Sequence, residues 1–116
     1  MSYYDERIGA PLRDAVDRLV GDWDGVSRKR MFGCPCYSAG GKIFAIVMSD
    51  GLVLTKLPAA EAVRRGSPLP VAPFRTETKN VPSWSKFAVG PDDVAKLAAW
   101  IEEGYRAAVA ETETGR

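Results

Sequence analysis

The residues best suited to chemistry in this 116-residue chain stand close together. Cys34-Pro35-Cys36 holds both cysteines, and Arg28-Lys29-Arg30, just before it, is the densest basic run. Two thiols this near could act as a redox pair or supply half of a zinc site. A structural zinc takes four ligands, and the chain offers two thiols and no histidine. The spacing also differs from the Cys-x-x-Cys of thioredoxin-like enzymes. The plainer reading puts one cysteine in the core as a small hydrophobe and one in a turn set by Gly33 and Pro35.

The absence of histidine removes Ser-His-Asp and Cys-His mechanisms, imidazole metal ligands and a histidine proton shuttle. Lysine, glutamate and aspartate remain as acids and bases. The adjacent pairs Asp92-Asp93 and Glu102-Glu103 read as helix-start charge and solvated surface. The sequence therefore predicts a non-enzymatic protein, with no catalytic residue, metal or cofactor assigned.

The basic residues offer a second chemistry, phosphate binding. The net charge is only +1, but it is unevenly spread: residues 1–25 carry −3, residues 26–89 carry +7 and residues 90–116 carry −3. Arg28, Lys29, Arg30, Lys42, Lys56 and Lys86 are the candidate nucleic-acid contacts. Such side chains release counterions from a phosphate backbone. This reading requires Arg28, Arg30, Lys42, Lys56 and Lys86 to share one sheet face, with Trp84 or Tyr37 free to stack on a base. Two structural readings compete with it. The run is a solvated edge strand whose charges block aggregation, or the basic middle pairs with the acidic ends.

These residues must be positioned by regular elements. Ile8, Leu12, Val16, Leu19, Val20 and Trp23 fall at helical spacing. Pro11 makes that helix begin near Ala10 or bend after an earlier turn from Asp5. Val26 to Phe32 reads as a basic first strand, and Cys36 to Ala39 as a short second one. Gly40-Gly41 marks a hairpin. Ile43 to Met48 is apolar on both pleat faces and predicts a central strand covered on both sides. Asp50-Gly51 reads as a two-residue turn into Leu52 to Leu57. Pro58 starts a short helix that Gly66 ends. Residues 67–83 hold four of the eight prolines and read as a long loop, with a short strand at most near Phe74-Arg75. Trp84 to Val89 is a last strand, and Gly90-Pro91-Asp92-Asp93 opens a final helix. The pattern predicts one α+β domain over residues 1–110, an antiparallel sheet packed with helices. Residues 111–116 read as a disordered tail.

Met31-Phe32-Gly33, Pro35-Cys36, the turn from Gly41 into Lys42-Ile43-Phe44-Ala45, and Gly51-Leu52-Val53-Leu54 together resemble the TfoX N-terminal domain family (TfoX/Sxy-like). Leu97-Ala98-Ala99-Trp100-Ile101 in the last helix is similar too. Trp84-Ser85-Lys86-Phe87 and Tyr105 also resemble the related YjbR (MmcQ-like) family. The resemblance spans about residues 3–110. It implies an α-β(3)-α-β(2)-α arrangement, as in secretion chaperones. TfoX/Sxy proteins regulate natural competence in bacteria, and YjbR-like proteins are often described as DNA-binding. The resemblance carries over no catalytic residues.

The expected role is a cytoplasmic regulatory or interaction domain with an unidentified protein partner. Direct nucleic-acid binding through a basic sheet face is the alternative, and thiol redox activity at Cys34 and Cys36 a second. Ile43, Ala45 and Val47 oppose Phe44, Ile46 and Met48 across the central strand. If the helices cover one face only, a homodimer or a docked partner covers the other. No apolar run approaches the length of a membrane span. No basic segment followed by an apolar one appears at the start, so no secretory signal is expected.

Overall fold

Asp5, in extended backbone, turns its carboxylate onto the Arg7 amide at 2.9 Å and so caps the first helix, α1 (Glu6–Val20). The structure is a computed structural model and describes residues 3–114. The cap starts α1 a turn before Pro11, which the helix carries inside it. Leu12, Val16 and Val20 are buried as their spacing predicts. Ile8 is not, at 64% exposed. The inward place in that turn belongs to Gly9, where a β-carbon would meet the Tyr4 ring at 2.3 Å.

Six strands follow: β1 (Val26–Met31), β2 (Cys34–Ala39), β3 (Lys42–Met48), β4 (Gly51–Leu54), β5 (Val71–Arg75) and β6 (Asn80–Phe87). They form one antiparallel sheet in the order β1-β2-β3-β4-β6-β5. The short helix α2 (Ala59–Arg64) links β4 to β5. A 3-10 helix (Pro91–Leu97) then runs into α3 (Ala98–Thr114). The fold is α+β, as the element pattern predicts. Four strands precede α2, as read from the sequence and one more than the three that the resemblance implies, with the charged segment β1 a full member of the sheet.

Tight turns set the register. Phe32 and Gly33 have φ of 56° and 76°, and Gly40 and Gly41 have 61° and 83°. Two successive left-handed residues match the twist of a hairpin. The third loop is Ser49-Asp50, one residue earlier than the sequence suggests, because Gly51 already pairs with Met48 inside β4. A β-carbon on Gly51 would stand 2.3 Å from the Phe87 carbonyl oxygen, so this glycine lets β6 approach.

The expected loop at 67–83 is mostly the β5–β6 hairpin. Proline argued against strands there, yet each proline sits where no ladder bond is lost. Pro73 lies on the edge strand at a register shift, and Pro82 lies in the part of β6 that β4 does not reach. The expected tail is also helical as far as Thr114. Lys56 pairs with Glu111 at 2.7 Å, and the Thr112 hydroxyl donates to the Gly40 carbonyl at 3.2 Å. Residues 115–116 lie outside the described residues.

Phe44, Ala45, Ile46, Val47 and Met48 are all buried, as a central strand requires. Strict alternation fails at one point. The register shift between Tyr37 and Ser38 leaves Phe44 opposite no residue of β2. This bulge re-aims its ring toward α3, where Tyr105 meets it edge-on at 5.7 Å.

The ladder assigns the two faces, because directly paired residues point the same way. Arg28, Tyr37, Ala45, Leu54 and Ser85 form one row. Helices cover this face: the Tyr37 hydroxyl reaches Asp17 of α1, and Trp100 of α3 packs on Phe87 at 5.8 Å. Lys29, Cys36, Ile46, Val53, Lys86 and Ala72 form the opposite row. The sheet closes this face by curling. Phe32, in the turn beside edge strand β1, lines one cavity with Phe74, Val81 and Trp84 from the far edge. Both faces of β3 are thus covered within one chain, and neither waits for a second subunit or a docked partner.

Candidate interaction edge

β1 is the exposed edge of the sheet. Ser27, Arg28, Lys29 and Arg30 are all exposed, and the strand carries no acid. Alternate residues of an edge strand turn their N–H and C=O groups away from the sheet. A shallow cleft of about 310 Å³, bounded by Arg13, Arg28, Lys29, Arg30 and Pro35, runs beside it. Pro35 lies one residue outside the β3 ladder, so β2 accepts it without losing a bond.

One end of the edge is held to α1. Asp17 Oδ1 accepts the Tyr37 hydroxyl at 2.6 Å and Arg28 Nε at 2.9 Å. Tyr37 is 1% exposed. Burial first, and then the bond to Asp17, push its pKa well above the ordinary tyrosine value. Asp17 likewise raises the pKa of Arg28. Lys29 and Arg30 differ from Arg28. Arg30 donates to the Gly33 carbonyl at 3.0 Å, and neither residue forms an ion pair among the described residues.

The six basic candidates do not assemble into one surface. Register puts Arg28 on the helix-covered face and Lys86 on the opposite one. Lys86 is held by Asp50 at 2.9 Å and Lys56 by Glu111 at 2.7 Å. Lys42 stands at the far end of the β2–β3 hairpin, paired with Ala39. Only Arg28, Lys29 and Arg30 stay together. The expected basic sheet face is therefore a basic edge, three residues long. Tyr37 is too buried to stack on a base, and Trp84 leans on Phe74 at 5.6 Å.

Cys34 and Cys36 lie on one pleat face of β2, both fully buried and neither in a disulfide; the Cys34 thiol donates to the Phe32 carbonyl at 3.7 Å. Burial is the leading cause that raises the pKa of each thiol. A reactive cysteine needs exposure and a depressed pKa, so the redox reading has the wrong environment. Neither thiol sits in a turn: the turn is Phe32-Gly33, and both cysteines belong to β2. Three of the four paired acids are engaged structurally. Asp93 binds Lys96 at 3.1 Å, Glu102 binds Arg106 at 2.6 Å and Glu103 binds Arg65 at 2.9 Å.

The sequence did not signal that Asp17 and Arg13 would flank β1, since helix residues reach an edge strand only through folding. It also missed Tyr3 and Lys79, which line the cavity beside Phe32. The Phe32-Gly33 pair between two strands was the available clue.

A comparison with known families matches this architecture to a sequence profile. The profile of the TfoX N-terminal domain covers residues 18–108, most of the chain. The chain belongs to the TfoX N-terminal domain family. No curated protein and no solved structure matches it. The TfoX N-terminal match includes all six strands, α2, the 3-10 helix and most of α3, and it begins near the end of α1. The basic edge and the Met31-Phe32-Gly33 turn both lie inside it. Among the described residues, no helix is long and apolar enough to cross a membrane.

Proposed function

We propose that this TfoX N-terminal domain is a non-enzymatic cytoplasmic regulatory module that adds an acidic, extended segment of a partner protein to its sheet at β1. The observation that carries the reading is the open edge strand whose Lys29 and Arg30 form no ion pair among the described residues. Main-chain bonds to an added strand supply affinity, and the side chains that alternate along it supply selectivity. The basic cleft gives the partner's carboxylates a place, and steers encounter more than it adds affinity. Nucleic acid suits this arrangement less well, because a duplex backbone needs cations spread over one broad surface.

The test is fluorescence anisotropy with two labelled probes, a ten-residue peptide alternating glutamate and valine and a DNA duplex. The peptide is expected to bind, and Lys29→Glu with Arg30→Glu to weaken it by about tenfold or more. Both residues are exposed, so their replacement leaves stability within about 0.5 kcal/mol. A proline at the centre of the peptide should abolish binding. Salt-steep binding of the duplex, lost in the same variant while the peptide stays unbound, would replace this reading with nucleic-acid recognition.

A further inference from the structure

The mouth of the curled sheet carries a feature that the basic edge does not use. Phe32 has φ of 56° and is 53% exposed. A left-handed backbone at a bulky residue costs on the order of 1–2 kcal/mol. Burial of the ring does not repay that cost, since the ring is half in solvent and among the described residues its one ring contact is Tyr3, edge-on at 6.3 Å. Beside it opens a cavity of about 450 Å³. Tyr3, Phe32, Phe74 and Trp84 contribute four aromatic rings to its wall. Phe74 is fully buried and Trp84 leans on it, tilted by 33°, so this part of the wall is rigid. Lys79 stands in the lining as its one charged side chain and forms no ion pair among the described residues.

We infer that this cavity binds a small planar aromatic molecule carrying one negative charge. The volume lies within the range of small-molecule sites, and such sites combine an apolar wall with a few placed polar groups. Aromatic rings at a wall favour a flat ligand in stacked or edge-on contact. With no acid in the lining among the described residues, Lys79 favours an anion over a cation, and a neutral molecule gains much less from it. A ligand seated against Phe32 also buries the ring that the strained turn leaves in solvent. The inference is independent of the β1 edge: it uses the turn at the end of that strand and none of its basic side chains.

The test uses 2-naphthoate as the anionic probe and 2-naphthamide as its neutral counterpart, titrated into nitrogen-15-labelled protein and followed by amide NMR shifts. Naphthoate is expected to shift Phe32, Gly33, residues 76–81 and the Trp84 indole N–H. Lys79→Gln should weaken naphthoate by about tenfold and leave naphthamide unchanged. Phe32→Gly should weaken both probes while the protein stays folded, because glycine takes the left-handed turn without strain. Lys29→Glu should change neither. An absence of shifts at millimolar naphthoate would overturn the inference. So would shifts centred on β1, or an equal loss of both probes in Lys79→Gln.

Discussion

The two edges of this sheet solve the same problem by different means. Both β1 and β5 present a strand with no neighbour on one side. β5 is anchored by packing and guarded by chemistry, with Ala72, Pro73 and Arg75 still exposed. Its Phe74 is buried, Pro73 withholds a donor, and α2 packs across β5 and β6. β1 is left open, and only charge guards it: Arg28, Lys29 and Arg30 are all exposed. A proline on an edge withholds a pairing group from any added strand, whereas charging an edge keeps out most strands but admits one of opposite sign. The contrast singles out β1 as the edge that remains available.

The contrast can be broken most strongly at β5. Phe74→Ala should destabilise the protein by about 3–5 kcal/mol, read as the shift of the urea midpoint at constant slope. A loss below about 1 kcal/mol would mean that packing does not anchor that edge. The next effect falls on the anchor of β1. Tyr37→Phe removes the hydroxyl that Asp17 accepts and should cost about 1–2 kcal/mol. It should also change the alkaline limb. The pKa of Tyr37 is raised in the folded state, so its contribution is complete below the ordinary value of 10.0 and is lost as pH rises past it. Wild type should therefore lose stability above pH 10 faster than Tyr37→Phe, and parallel limbs would contradict the buried hydrogen bond.

The smallest effect concerns the helix that covers β5. Glu61 binds Arg64 and Arg65, which hold its carboxylate down to about 2 from 4.5. Arg65 in turn reaches Glu103 of α3 at 2.9 Å, so Glu61 helps seat α2. A lowered carboxylate pKa adds stability above its unfolded value that is lost as pH falls. Glu61→Gln should be less stable than wild type at neutral pH, and the gap should close between pH 4.5 and about 2. A constant gap on acid titration would show that the ion pairs do not contribute.

Much of the fold was legible. Alternation and turn chemistry placed β2 to β4, and helical spacing placed α1 and α3, because these signals are local. The misread segments each hinged on a neighbour. Residues 67–83 read as a long loop, with a short strand at most near Phe74-Arg75, because proline normally loses a ladder bond, and nothing in the segment says that β4 ends short of Pro82. Phe44 read as pointing with Ile46 because a bulge shows only when two strands are paired. The tail read as disordered because its anchors, Lys56 and Gly40, are distant in sequence.

The candidate site divides in the same way. Residue types alone excluded histidine chemistry, marked Arg28-Lys29-Arg30 as the densest charge and indicated an antiparallel α+β sheet, since each depends on composition or on period. Folding settled which cations remain unpaired among the described residues, which face each residue takes, and that Phe32, Phe74 and Trp84 line one cavity at the mouth of the sheet. Those outcomes follow from register and curl, which pairing between distant segments establishes and which no single segment encodes.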